Sequence, residues 1–221
     1  MNSKVLVAEF IGTFTLIYAG VGAIAANDVS GGALGLTGIA LAHGLAIAVM
    51  VTATAAISGG HLNPAVSFGM ALVGRITPAT MVQYWAAQCL GAIAAAGCVR
   101  LTYAASTLST IKLGTPMPGA GVGTAQVLVA EIITTFFLVF VVFGSAVDRR
   151  APKLGGLFIG LTVALDILAI GPVSGAAMNP ARHLGPALLG GGLSHTWLYW
   201  LGPLVGGGLA AVVYAKVLEE R

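Results

Sequence analysis

Asn-Pro-Ala occurs twice in this chain of 221 residues, within "SGGHLNPAVSFG" (Ser58–Gly69) and within "SGAAMNPARHLG" (Ser174–Gly185). Asn is a strong helix N-cap, and Pro suits the first helical position, where its missing N–H is not needed. Asn63-Pro64-Ala65 and Asn179-Pro180-Ala181 therefore each predict a helix start. An amide at that place has two uses: its oxygen caps the helix while its NH₂ can still donate into a lumen. Asp would supply no donor and would add a charge that invites cations, and Ser or Thr would offer one rotating group. A lone Asn-Pro is usually only a turn or a cap. Two copies, each opening a short apolar helix, form a stronger pattern. Arg182 directly follows the second copy, as a candidate fixed cation with fork donors.

Those residues must be positioned by something, and composition says what kind of fold does it. Hydrophobic residues make up 57% of the chain and charged ones 8%, against about 25% charged in soluble domains. Mean hydropathy is +0.97. There is too little polar surface to cover a water-soluble globule, so the solvent is lipid, and the formal charge of +3 is not the mark of a nucleic-acid binder. Runs long enough to span a bilayer are expected at about Val5–Ala26, Leu34–Ile57, Thr80–Ala104, Ala125–Val147, Leu154–Ile170 and Thr196–Leu218. The first is too long for a signal-peptide core and shows no clear cleavage site. The 32 glycines, among them the pairs Gly156/Gly160 and Gly202/Gly206, read as helix-contact positions. Cys89 and Cys98 lie too far apart along one helix to bridge.

Two apolar pieces, Asn63–Val73 and Asn179–Leu189, are too short to span. Each gives roughly 16 Å of helix, about half of a ~30 Å hydrocarbon core. "AEFIGTF" (Ala8–Phe14) resembles "AEIITTF" (Ala130–Phe136), and "QYWAAQCLGAIAAAG" (Gln83–Gly97) resembles "LYWLGPLVGGGLAAV" (Leu198–Val212). The expected organisation is one membrane domain over residues 1–221, holding two repeats at about 1–104 and 125–221. Each repeat has three spans and one half-helix. Three is odd, so the second copy enters from the opposite side, as an inverted repeat. The two half-helices would then point at each other, and their positive dipole ends would disfavour cations, hydronium included. The loops before them must be buried or line a watery cavity, where their carbonyls would offer permeating molecules a polar rail.

With a cytoplasmic N-terminus, the inner segments hold Lys4, Arg75, Arg149, Arg150, Lys153, Lys216 and Arg221, and the outer ones Arg100, Lys112 and Arg182. That asymmetry favours cytoplasmic termini. Residues 105–124, rich in Gly, Pro and Thr, read as an outer loop. Glu9 and Glu131 hold matching places in the repeats. They would serve either as a proton relay or as acceptors for the N–H groups of the non-helical loops. Asp166, late in the fifth span, is expected either to pair with a neighbour such as His183 or to reach the interface. His61 is expected to line the inner vestibule, and His195 to sit at the membrane surface.

With both boxes intact as "HLNPAV" and "MNPAR", the chain resembles the major intrinsic proteins, the aquaporins and aquaglyceroporins, over essentially its whole length. The resemblance implies an all-α membrane protein of six tilted spans and two re-entrant half-helices, a pore in each subunit, and a homotetramer. It favours a structural role for the glutamates, makes Glu9, Glu131 and His61 supports of the pore loops, and makes Arg182 a selectivity-filter arginine. By position the filter is His43, Ile167, Ala176 and Arg182. That set resembles plant tonoplast intrinsic proteins, some of which pass ammonia, peroxide or urea. His183, where glycerol facilitators usually carry Asp, together with Ala187, Tyr199 and Trp200, resembles the water-channel type. Ala176 stands where many related channels carry a mercury-sensitive cysteine. The implied function is passive passage of water, with small neutral solutes through a relaxed filter, slow glycerol, and exclusion of protons and ions. The competing reading is an ion-coupled secondary transporter, also built from inverted repeats; a third is a non-conducting structural member of the fold. No nucleophile–base pair, metal cluster or phosphate loop supports an enzyme or a cofactor. Short termini and short loops point to a prokaryotic cell (inner) membrane rather than a eukaryotic one.

Overall fold

The computed structural model describes residues 2–220; Arg221, counted above among the inner basic residues, lies outside them. Nine α-helices form and no strand occurs among the described residues: α1 (Ser3–Val29), α2 (Gly35–Ser58), α3 (Pro64–Leu72), α4 (Pro78–Thr102), α5 (Ala105–Thr110), α6 (Thr124–Val142), α7 (Gly155–Ser174), α8 (Pro180–Gly190) and α9 (Thr196–Val213). Helical backbone continues as a wider turn after α6 (Phe143–Val147) and after α9 (Tyr214–Leu218). Six of these helices, α1, α2, α4, α6, α7 and α9, are long and apolar enough to cross a membrane. The loop over residues 105–124 is partly ordered into α5 and a tight left-handed turn.

Each span turns apolar side chains outward, Leu45, Val49, Leu90, Leu165 and Leu209 among them. Four charged-type side chains are instead turned inside: Glu9, Glu131 and Asp166 have no exposed surface and Arg182 has 4%. This reversal is what a lipid solvent selects.

Glycines set the helix contacts where backbones nearly touch. A Cβ on Gly160 would lie 2.3 Å from the Gly44 carbonyl oxygen, and one on Gly206 would lie 2.1 Å from that of Ile132. Those contacts lock α2 to α7 and α6 to α9 at distances a larger residue cannot reach. The pseudo-symmetric partner of the second contact joins α1 to α4, where a Cβ on Gly91 would lie 2.4 Å from the Phe10 carbonyl oxygen.

On the face bearing the termini, Arg75 pairs with Glu219, and Arg150 bridges Asp148 (2.6 Å) and Glu220 (3.0 Å). The α3–α4 loop, the α6–α7 loop and the C-terminal segment are thus joined on one side. The guanidinium hydrogen bonds and the backbone N–H of Arg150 hold the Asp148 carboxyl well below the ordinary carboxylate range.

Candidate functional site

α3 and α8, of 9 and 11 residues, together amount to about 30 Å of helix. Asn63 and Asn179 have extended backbones (φ −157° and −150°), as the residue before Pro requires. Their side-chain oxygens cap the helices: Asn63 Oδ1 accepts from Ala65 N at 2.8 Å, and Asn179 Oδ1 from Ala181 N at 3.0 Å and Arg182 N at 3.2 Å.

Their amide nitrogens cross between the halves. Asn63 Nδ2 donates to the Met178 carbonyl and Asn179 Nδ2 to the Leu62 carbonyl, both at 2.9 Å. The two half-helix N-termini therefore meet, each tied to the loop that precedes the other. One hydrogen of each NH₂ is spent on that tie, and the other is left for the cavity that both asparagines line. The expected carbonyl rail is altered accordingly, because the Leu62 and Met178 oxygens already accept from the opposite asparagine. The other loop residues on the cavity wall are Gly60, His61, Ala176 and Ala177.

Leu62 and Met178 have left-handed backbones (φ 51° and 50°), as does Ala176 (φ 45°), a conformation disfavoured for such residues. Buried glutamates hold it. Glu9 Oε1 accepts from Ser58 Oγ (2.6 Å) and His61 N (3.0 Å), and its Oε2 from Leu62 N (2.7 Å) and Gln88 Nε2 (2.8 Å). Glu131 Oε1 accepts from Ser174 Oγ (2.7 Å) and Ala177 N (2.9 Å), and its Oε2 from Met178 N (2.7 Å). Every contact of both carboxylates is as an acceptor from the loop or from a neighbouring helix. Two tyrosines repeat the symmetry: Tyr84 donates to the Ser58 carbonyl (2.6 Å) and Tyr199 to that of Ser174 (2.7 Å). Sequence reading passed over these serines and Tyr84, although they hold equivalent places in the quoted repeats.

The cavity has about 30 Å³ open to the centres of water molecules, room for only a few waters in file, at ~10–15 Å³ each. Leu16, Ile47, Val51, Leu138, Val142, Ile159 and Val163 make its apolar wall. Asn63, Asn179 and Arg182 bring donors to its lining. His43, Ile167, Ala176 and Arg182 all line it, as does His61, whose Nδ1 lies 3.0 Å from Ser67 Oγ and whose ring meets Tyr84 edge-on. Arg182 Nη1 donates to the Gly114 carbonyl at 2.9 Å. That carbonyl is presented by three consecutive left-handed residues, Lys112, Leu113 and Gly114 (φ 47°, 51° and 64°). Nothing in the sequence singled out this turn, because two of its three residues are not glycine.

Asp166 departs from both expectations. It is fully buried, so it does not reach the interface, and neither of its oxygens has a hydrogen-bond partner among the described residues. His183 is drawn the other way, onto α9: its ring stacks on Tyr199 (4.3 Å, 12°) and its Nε2 lies 3.1 Å from Thr196 Oγ1. His195 is half-buried on a short turn ahead of α9.

Residues 1–214 match the family described as Major intrinsic protein. A protein of Oryza sativa subsp. japonica named "Probable aquaporin TIP2-2" is 47% identical over 223 residues, spanning 97% of this chain and 87% of its own. "Aquaporin TIP2-3" of Arabidopsis thaliana is 46% identical with the same coverage. Among solved structures, the aquaglyceroporin from Plasmodium falciparum superimposes with a TM-score of 0.88 at 26% identity, covering 98% of this chain and 96% of that one. A fold with two capped half-helices meeting at a narrow cavity, matched along its length in sequence and in structure, places this chain in the major intrinsic protein family.

Proposed function

We propose that the chain is a passive water channel whose constriction is formed by His43, Ile167, Ala176 and Arg182, and which also passes ammonia, hydrogen peroxide and urea, and glycerol slowly. The observation that carries this reading is the pair of asparagine amides, donated from opposite half-helices into one cavity with a mostly apolar wall. A water there accepts from both amides and turns its own hydrogens outward along the file. The apolar wall offers it little to bond, so passage is fast. Hydronium and other cations meet two helix N-termini and the Arg182 guanidinium.

The constriction sets the solute range. His43 and Arg182 bring polar groups, whereas Ile167 brings none and Ala176 keeps its side small. Such a gap admits a molecule broader than water when it is neutral and compact. The glutamates act structurally in this reading, since Glu9 and Glu131 are engaged with loop N–H groups and neither lines the cavity. We divide the chain into repeats at about 1–104 and 125–221. We place both termini in the cytoplasm on the Lys/Arg asymmetry, in a cell membrane, and infer a homotetramer with one pore per subunit.

The test is stopped-flow light scattering on proteoliposomes given water, urea, ammonia and glycerol gradients, with a pH dye inside. Fast water and urea flux that persists without any ion gradient, with no matching pH change, is expected. Solute flux that vanishes without an ion gradient would establish the coupled transporter instead.

A further inference from the structure

We propose that Gly20 is a positioning residue for the constriction: by carrying no side chain it lets the His43 ring lie back against α1, and so sets how wide the pore is. This rests on the filter reading above.

The ring is held on one edge by its own helix. Its Nδ1 lies 2.9 Å from the Ile39 carbonyl, one turn earlier in α2. A carbonyl only accepts, so Nδ1 carries the hydrogen and Nε2 the lone pair. Although the ring lines the cavity, His43 is only 3% exposed and Nε2 has no hydrogen-bond partner among the described residues. The reason is its other neighbour. A Cβ on Gly20 would stand 2.3 Å from Nε2, 2.5 Å from Cδ2 and 2.8 Å from Cε1. The imidazole is pressed against the bare Cα of α1.

This glycine differs from those that serve helix packing. Gly91, Gly160 and Gly206 each face a backbone oxygen of a neighbouring helix most closely, whereas the three atoms nearest to Gly20 all belong to one ring. One turn earlier on the same face of α1, Leu16 and Ile17 are buried with full side chains. A small residue is thus not demanded along the whole helix face; it is demanded where the ring sits. A methyl at position 20 would drive the ring back by about 1 Å to restore ordinary contact. Ile39 tethers one edge, and the room beyond the ring is the cavity it lines. In a passage this narrow, that displacement selects against anything wider than water.

The experiment measures water and urea permeability of Gly20→Ala, His43→Ala and the double variant in proteoliposomes. Gly20→Ala is expected to lower the urea-to-water ratio by about tenfold or more, while adding Gly20→Ala to His43→Ala changes that ratio less than twofold. An unchanged ratio in Gly20→Ala, or an equal fall in both backgrounds, would overturn the proposal and make Gly20 a packing residue. Should Gly20→Ala fail to fold, a folded double variant supports the ring clash, and a double variant that also fails to fold refutes it. His43→Ala alone addresses the filter reading: if it leaves the ratio at the wild-type value, that reading falls, whereas a shifted ratio with an inert Gly20→Ala sinks the positioning role alone.

Discussion

Replacing Glu131 by Gln should cripple the second pore loop. The side chain now accepts from Ser174 Oγ, Ala177 N and Met178 N, with one oxygen serving the first two and the other serving Met178. Gln keeps the shape but turns one oxygen into a donor. If its NH₂ takes the first position, the Ser174 hydroxyl can rotate to accept, yet the Ala177 N–H is left facing a donor. If it takes the second, the Met178 N–H is orphaned. Either way one buried N–H loses its acceptor, at ~1–3 kcal/mol, and the remaining bonds lose charge assistance worth ~1 kcal/mol each. A total of about 3–5 kcal/mol falls on a segment already held in a left-handed conformation at Ala176 and Met178. Because the Met178 carbonyl is the acceptor for Asn63, the damage reaches the meeting point of the half-helices. The expected result is a lowered Tm in detergent and a several-fold loss of water permeability in proteoliposomes at equal protein density. Glu131→Ala, which orphans both N–H groups, should be worse. Wild-type Tm and permeability in Glu131→Gln would refute the account of the carboxylate as an acceptor-only clamp.

His43→Phe should reduce urea and ammonia flux more than water flux, read from paired shrinkage rates on one liposome preparation; an equal loss of both would mean that the ring does not discriminate. The wild-type channel should be only weakly inhibited by mercury, and Ala176→Cys should become strongly and reversibly inhibited, since Ala176 lines the cavity; an insensitive variant would remove Ala176 from the conducting path. On the face bearing the termini, the Asp148 carboxyl is depressed by its Arg150 contacts. Its stabilisation is therefore complete above the unfolded value of about 4 and is lost as pH falls through the lower folded value. Protection of residues 214–220 from proteolysis or hydrogen exchange should thus stay flat between pH 5 and 8, while Asp148→Asn should expose them throughout that range. Loss of protection near pH 6 in the wild type would contradict the ion-pair assignment.

The six spans were legible because lipid imposes long apolar runs, and their observed ends fall close to the expected ones. The half-helices were legible from length and from Asn-Pro, whose capping chemistry is local: the bonds from Asn63 Oδ1 and Asn179 Oδ1 reach only two or three residues ahead. The glutamates could be singled out because a repeat compares the chain with itself, and an intramembrane carboxylate stands out twice. What stayed hidden depends on distant backbone. The Gly114 carbonyl reaches Arg182 only because Lys112 and Leu113 adopt left-handed backbone, and Gly190 leaves room for Leu113, where a Cβ would come within 2.4 Å of its own. No local pattern encodes that.

The contrast between Glu131 and Asp166 shows where residue type stops being informative. Both are fully buried carboxylic side chains within spans of the second repeat. Glu131 is surrounded by donors because Ser174 and the turned loop of residues 176–178 bring a hydroxyl and two N–H groups to it. Asp166 sits one residue before Ile167, on a helix whose N–H groups are already paired along its own axis, so no backbone donor is available there. The side chains it was expected to meet have better partners elsewhere, His183 on Tyr199 and Thr196. A buried acid is thus anchored or orphaned by the loops around it rather than by its own identity. In this fold the irregular backbone before each Asn-Pro brings the donors, and those two short stretches hold the half-helices in place as well as lining the cavity.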